Sequence, residues 1–283
     1  MCPSVKTYWL FAFYLSTQTS RNMNNFVSTR LYFGTGRGLL IGDIPYTQEH
    51  SHHAMELFIG LKEEINLVSQ GQQYASRVII LNSDIPHKLE ASSHERIVII
   101  VDPESQTAQN LFHQYLQAEP IFCFDNKQSD YLLTQIESYL DDDINAHQAE
   151  NFCDQIINSF ISHDDSKKPI DSRIVKVIEF LKTVETKKIS VQLISDQVGL
   201  SESHLMHVFK EQVGIPIRRY LLWLRLLDAF NNLFDGCSIT HAAHCSGFAD
   251  SAHLSRTFRK MFGLSISSIF KNRRFVQVLS CLP

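Results

Sequence analysis

An internal repeat limits the fold of this chain more than any other feature of its sequence. The stretch GLSESHLMHVFKEQVG, which starts at Gly199, recurs 48 to 49 residues later as GFADSAHLSRTFRKMFG, which has one extra residue in its turn. Aligning Phe209 with Phe258 places Leu205 on Leu254, so the apolar residues of both copies recur at the spacing of a helix. Each copy therefore predicts a helix that follows a glycine turn.

A shorter helical pattern precedes each glycine turn, and a long one joins the two copies. The short patterns cover Val191–Val198 and residues 239–246, and the long one covers Ile217–Phe234, directly after Pro216. A short helix, a tight glycine turn and a second helix make a helix-turn-helix unit, whose second helix can enter the major groove of DNA. The sequence predicts two such units on a stiff connector, able to contact groove segments about one DNA turn apart, roughly 34 Å.

The second helix of each copy has one apolar face, and we predict DNA contacts on the opposite face. That face is cationic in the second copy, where Lys and Arg can neutralise phosphates and Arg can bind guanine through two hydrogen bonds. The first copy is less basic. The residues predicted to contact DNA are Ser203, His204, His207, Lys210, Ala252, His253, Arg256, Arg259 and Lys260.

The distribution of charge agrees with a polyanion as the partner of the C-terminal part. From Ile170 onward the chain has 15 Lys and Arg against 9 Asp and Glu, whereas the residues before it have 11 against 21. The alternative is that this bias is only a solvated surface and that the helical units form a protein-binding bundle. The doubled unit with a cationic face favours DNA.

Residues 170–270 resemble the DNA-binding domain of the AraC/XylS-type transcription regulators. The resemblance implies two helix-turn-helix units joined by a long helix, and it implies RNA polymerase as a further partner of an activator. The family usually has Ser-Arg where this chain has Met206-His207, which suggests weak or hydrophobic contacts from the first unit, such as Met206 or His204 against a thymine methyl group or a phosphate. The matching residues are Gly247, Phe248, Asp250, His253, Leu254, Ser255, Arg256, Phe258, Arg259 and Gly263, with Pro216, Tyr220, Arg225 and Ala229 in the connector.

The segment HSHHAMELFIGL, which begins at His50, is the main candidate binding site of the N-terminal half. Strand alternation would place His50, His52 and Glu56 on one face, and Phe58 continues that face. A second segment, SDIPHKLE, supplies His87 near the start of another predicted strand. Three imidazoles and a carboxylate suit Fe, Mn, Ni or Zn, and they resemble the two metal motifs of the cupin barrel.

Three interpretations of these residues stay open: polar contacts to a small effector, ligands of a metal ion, and buried histidines of the fold. AraC-type regulators often carry a cupin-like N-terminal domain that binds a small effector. The resemblance therefore implies effector contacts from His50, His52, Glu56, Phe58 and His87, and we expect no cofactor. If the site binds a metal ion instead, the candidate ligands are His50, His52, Glu56 and His87.

The predicted fold class is α+β, with a cupin-like β-barrel and helices in the N-terminal half and an all-α C-terminal half. β-branched runs such as VIIL at Val78–Leu81 predict the strands, and amphipathic stripes between 105 and 162 predict helices that pack on the barrel or also form a homodimer. The predicted segments are an N-terminal extension at 1–28, the effector-binding and dimerisation domain at 29–162, a linker at 163–169 and the DNA-binding domain at 170–283.

These features predict a sequence-specific DNA-binding transcription regulator that is controlled by a small-molecule effector and is not an enzyme. The apolar run YWLFAFYL is too short to span a bilayer, so we expect a cytoplasmic protein with no membrane partner. The six cysteines form no C-x-x-C pair, which argues against a zinc module. The alternatives are a cupin-type metal-dependent enzyme that uses the His50 segment and a constitutive DNA-binding protein without a ligand.

Overall fold

The computed structural model describes residues 29–34, 36–42, 46–90, 94–137, 146–161, 170–183, 189–267 and 276–280. The predicted extension and the predicted linker lie outside these residues. The described residues divide into two compact units. The N-terminal unit contains residues 29–161, 258–267 and 276–280, and the C-terminal unit contains residues 170–257.

The N-terminal unit is built from two sheets and three helices. The larger sheet has the strand order β10-β1-β2-β8-β3-β6-β9, and the smaller sheet has the order β5-β4-β7. All pairs are antiparallel except β1 with β10. The strands are β1 Thr29–Gly34, β2 Arg37–Gly42, β3 Met55–Gly60, β4 Ile65–Ser69, β5 Gln72–Ser76, β6 Val78–Leu81, β7 Lys88–Leu89, β8 Arg96–Val101, β9 Ile121–Cys123 and β10 Val276–Ser280. The helices are α1 Gln106–Tyr115, α2 Asn126–Glu137 and α3 Ala146–Phe160.

Strand β3 shows how the larger sheet is covered on both faces. Leu57 and Ile59 belong to a core that includes apolar residues of α1, α2 and α3, whereas Phe58 packs with Ile65 and Leu67 of the smaller sheet. Successive side chains of a strand point to opposite faces, so a strand covered on both sides needs a continuous apolar run. This requirement explains the sequence MELFIG, in which every residue is buried.

The predicted strands and helices of this unit agree with the structure at several points. VIIL forms β6, and residues Ile97 to Val101 lie in β8. The predicted stripes at Leu132 and Ile136 and at Phe152, Ile156, Ile157 and Phe160 are buried against the sheet. Tyr139 and Leu140, which we assigned to the same stripe as Leu132, lie outside the described residues.

The C-terminal unit follows the helical pattern of the repeat. Its helices are α4 Ser172–Thr183, α5 Val191–Val198, α6 Glu202–Val213, α7 Ile217–Phe234, α8 Ile239–Cys245 and α9 Ser251–Phe262, of which α9 ends in the N-terminal unit. The short helix of the second copy was predicted to end at Ser246 and ends one residue earlier, and the predicted bounds of α5 and α7 are confirmed. No described helix is long and apolar enough to cross a lipid bilayer.

Serine caps and left-handed glycines set the limits of these helices. The side chains of Ser190, Ser201 and Ser238 accept hydrogen bonds from backbone N–H groups in the first turns of α5, α6 and α8. Gly199 follows α5 with a φ of 64°, which a residue with a Cβ adopts only at a cost. These local signals, rather than long-range contacts, made the helix bounds predictable.

A buried histidine joins three turns of the N-terminal unit. Nδ1 of His53 lies 2.9 Å from Oδ2 of Asp84, and its Nε2 lies 2.6 Å from Oε1 of Glu104. Burial lowers the pKa of His53, but the hydrogen bonds with Asp84 and Glu104 outweigh it and raise the pKa to about 9. The ring is therefore an imidazolium at neutral pH and pairs with both carboxylates.

Substitution of His53 by Ala should lower the free energy of unfolding by about 3–5 kcal/mol, because it removes the cation from a buried ion pair. Urea denaturation in the presence of a chelator measures the change. The matched control is His94→Ala, since His94 pairs with Glu63 at 2.9 Å but both side chains are exposed. A loss as large in the control as in His53→Ala would contradict a special role for the buried pair.

Candidate functional site

Helices α6 and α9 bury equivalent apolar residues, and this burial decides which side of each helix faces solvent. Leu205 and Phe209 of α6 are fully buried, as are Leu254 and Phe258 of α9. Because these pairs are four residues apart, they lie on one stripe of each helix. The orientation predicted from the repeat is confirmed for both helices.

The residues predicted to contact DNA lie on the exposed sides of α6 and α9. Eight of the nine are exposed, and His253 is half-buried, with its ring centroid 5.2 Å from that of Phe248. The backbone N–H of His253 donates to Oδ1 of Asp250, which caps the start of α9. Met206 is also exposed on α6, where an apolar side chain can contact a thymine methyl group.

The four polar residues of the predicted effector site form a buried cluster in the N-terminal unit, which we call the histidine cluster: His50, His52, Glu56 and His87. His50 and His87 pair through two backbone hydrogen bonds, each of 2.9 Å, as an isolated antiparallel bridge. Residues directly opposite in such a pair carry neighbouring side chains on one face. This bridge brings together two histidines that are far apart in the sequence.

The prediction of one strand from His50 to Phe58 is wrong, because β3 begins only at Met55. The chain bends between His52 and β3, and His53 is held there by Asp84 and Glu104. Glu56 still faces the histidines from β3. The prediction that His87 lies at the start of a strand is confirmed, since β7 begins at Lys88.

Side-chain contacts hold the histidine cluster together. Oε1 of Glu56 lies 3.2 Å from Nε2 of His52, and its Oε2 lies 3.0 Å from Nε2 of His87. The ring centroids of His50 and His87 are 4.2 Å apart. Phe58, the fifth predicted effector residue, is buried, and its ring centroid lies 6.1 Å from that of His87.

The charges of the cluster follow from burial and from these contacts. Burial raises the pKa of Glu56, but His52 and His87 outweigh it, so the carboxyl pKa falls well below its ordinary value. Burial lowers the pKa of His87, but Glu56 outweighs it and raises that pKa. Burial, followed by the charges of His87 and His52, lowers the pKa of His50 to about 3. His50 is therefore neutral at physiological pH and keeps a lone pair for a ligand.

The cluster also contacts residues at the end of α9 that belong to the N-terminal unit. The backbone N–H of Gln48 donates to the carbonyl oxygen of Gly263 over 3.1 Å. The ring centroid of Phe262 lies 5.9 Å from that of His52. These contacts could not be predicted from the sequence, and neither could the partners of His53.

Comparison with known proteins identifies the C-terminal part of the chain. A family model described as a helix-turn-helix domain matches residues 194–272. These residues form an AraC-type helix-turn-helix domain. The predicted resemblance to AraC-type regulators is confirmed, and so is the α+β fold class.

Two curated relatives carry names of transcription regulators. The HTH-type transcriptional activator RhaS of Escherichia fergusonii is 35% identical over 117 residues, and the match spans only 41% of the length of either chain. The probable transcriptional regulator LumQ of Photobacterium leiognathi is 24% identical over 230 residues, which cover 76% of this chain and 89% of LumQ. This chain therefore covers less than half of RhaS but most of LumQ.

A solved structure shares the fold over most of the chain. The crystal structure of unsaturated fatty acid bound wild-type ToxT from Vibrio cholerae covers 88% of this chain and 97% of that chain. The TM-score is 0.51, and the sequences are 16% identical. The likeness therefore extends to the fold of the N-terminal part as well as to the AraC-type domain.

Substitution of Gly263 by Ala should lower the free energy of unfolding of the N-terminal unit. The loss should be larger than the strain of an alanine in the left-handed backbone conformation alone. Its φ is +67°, and an added Cβ would overlap the Gln48 carbonyl oxygen and lie 2.7 Å from Nδ1 of His50. The loss should exceed that of Gly214→Ala by at least about 1 kcal/mol, since overpacking adds to backbone strain.

Gly214 is the matched control because it ends α6 as Gly263 ends α9. Its φ is +89°, and an added Cβ would meet no heavy atom of the described structure within 4 Å. Urea denaturation of both variants gives the comparison. Equal losses of unfolding free energy would show that a Cβ added at position 263 does not clash with Gln48 and His50.

Proposed function

We propose that this chain is a sequence-specific DNA-binding transcription regulator that contacts DNA through α6 and α9. The observation that carries the proposal is the duplicated helix-turn-helix unit, in which burial of one face leaves Arg256, Arg259 and Lys260 exposed on the other. A helix with an apolar back and a cationic front suits groove binding, because phosphate neutralisation supplies affinity and Arg can bind guanine. The names of RhaS and LumQ support the same function.

The proposed control is by a small molecule that binds in the N-terminal unit. The ToxT structure, which shares the fold, holds an unsaturated fatty acid, and this supports an effector site in the corresponding part of this chain. An effector that binds one conformation better than another shifts the population and so changes the affinity for DNA. The histidine cluster and Phe58 are the effector contacts that we propose.

Two protein partners complete the proposal. The description of RhaS as an activator supports contact with RNA polymerase. The proposal of a homodimer rests on the sequence. In the structure, the described apolar faces of α2 and α3 pack against the sheet of their own unit. Action on DNA agrees with the cytoplasmic location expected from the sequence.

A metal-dependent enzyme is the second candidate function, and the histidine cluster is the observation that favours it. Three imidazoles and one carboxylate occur in catalytic metal sites as well as in regulatory ones. An enzyme of this kind would not need a duplicated unit with a basic exposed face. The named relatives are regulators, and we therefore propose that the chain is not an enzyme.

Substitution of Arg256 by Ala should weaken binding to the operator by about 1–3 kcal/mol while leaving binding to random DNA nearly unchanged, because Arg256 is proposed to bind a base. Fluorescence anisotropy with a fragment from the DNA that flanks its own gene, and with a scrambled fragment, measures both affinities.

Lys260→Ala is the matched control on the same exposed face of α9. It should weaken binding to both fragments alike and reduce the dependence of affinity on salt, as expected for a phosphate contact. An unchanged operator affinity in Arg256→Ala, or a loss limited to the operator in Lys260→Ala, would contradict these assignments.

A further inference from the structure

The histidine cluster contains a buried ion pair between Glu56 and His87. Oε2 of Glu56 and Nε2 of His87 lie 3.0 Å apart, and these two atoms have no other hydrogen-bond partner among the described residues. Glu56 is 5% exposed and His87 is 2% exposed. Buried polar atoms normally have partners, because a missing hydrogen bond costs about 1–3 kcal/mol. Two buried polar atoms that have only each other as partners can also hold a ligand that contacts both of them.

The backbone orients two of the histidines for binding a cation. Nδ1 of His50 lies 2.9 Å from the carbonyl oxygen of Gln48, and Nδ1 of His87 lies 2.9 Å from that of Ile85. A carbonyl oxygen only accepts hydrogen bonds, so the proton of each neutral ring is on Nδ1. Nε2 then keeps its lone pair. Histidines that bind metals are commonly held in this way by a hydrogen bond from the other ring nitrogen.

The donor atoms of the cluster are close enough to share one ion. One ring nitrogen each from His50, His52 and His87 lies within 4.8 Å of the other two, and all three residues are buried. The carboxylate of Glu56 contacts the rings of His52 and His87. Imidazole donors with one carboxylate suit zinc, iron, manganese or nickel, whereas calcium and magnesium prefer sites made only of oxygen.

We infer that His50, His52, His87 and Glu56 bind one divalent transition-metal ion, and that this ion is an effector of the DNA-binding chain. The binding of the metal follows from the cluster alone. The role as effector rests on the proposed function. This inference also gives the proposed effector a chemical class, a divalent transition-metal ion. The four residues that bind the ion are the same polar residues that we proposed as effector contacts.

The contacts of the cluster indicate how the ion would act on the protein. Nδ1 of His50 lies beside Gly263, Gln48 donates to the Gly263 carbonyl, and the ring of Phe262 lies near that of His52. Fixing the rings of His50 and His52 on an ion stabilises this arrangement of residues 262 and 263. These residues end α9, whose exposed face carries the proposed DNA contacts.

Metal binding is tested on the purified full-length chain after treatment with a chelator. Co²⁺ and Zn²⁺ are added in turn, and metal content is measured by mass spectrometry after gel filtration. We expect about one ion per chain and a visible absorption band of bound Co²⁺. A metal content far below one ion per chain, with no Co²⁺ band, would overturn the proposed site.

Variants distinguish the cluster from adventitious binding. His52→Gln and His87→Gln should each lose most of the bound metal and the Co²⁺ band, because each removes an imidazole donor while retaining a side chain of similar size. His94→Ala, at an exposed histidine that also pairs with a glutamate, should bind metal as the unmodified chain does. Circular dichroism without metal identifies the variants that fold. Full metal binding by both glutamine variants would overturn the assignment.

The effector role is tested by operator affinity with and without Zn²⁺. We expect a change of about 5-fold or more in the unmodified chain, the usual lower range of coupling between sites, and no change in His87→Gln. An operator affinity that does not respond to bound Zn²⁺ would overturn the effector role and leave the metal site standing. Stoichiometric metal without operator binding in either state would instead contradict the proposed function.

Discussion

Burial of two apolar side chains four residues apart is the constraint on which the proposed function depends. Leu205 and Phe209 in α6, and Leu254 and Phe258 in α9, fix the rotation of each helix about its own axis. Once these residues are buried, the side chains between them have to face solvent. The spacing of the apolar residues thus determines which side chains are exposed and can contact DNA, although the buried residues themselves do not contact it.

A different constraint forms the histidine cluster. The larger sheet is covered on both faces, so β3 is buried throughout, and Glu56 can be there only because it has partners. Two of these partners are His52, held before the strand, and His87, which the backbone bridge to His50 brings into place. The apolar sheet fixes the backbone, and the four polar side chains depend on one another for charge and orientation.

The local features of the fold could be predicted from the sequence, whereas the contacts between distant segments could not. The bounds of α5 and α7 follow from apolar spacing, a serine cap, a left-handed glycine and Pro216, all of which act within a few residues. His53 shows the limit, because its partners Asp84 and Glu104 are 31 and 51 residues away. The prediction grouped His50, His52, Glu56 and His87 correctly by residue type, but it assumed one straight strand where the chain bends before Met55.

Nuclease footprinting shows whether one chain places two helix-turn-helix units on DNA. Connector α7 has 18 residues and is therefore about 27 Å long, which suits two units in neighbouring segments of the major groove. The DNA that flanks its own gene is digested with and without the protein, at two salt concentrations and with random competitor DNA. We expect two protected segments about one helical turn apart that persist with competitor DNA and weaken at high salt. A single protected segment, or protection that competitor DNA removes, would contradict it.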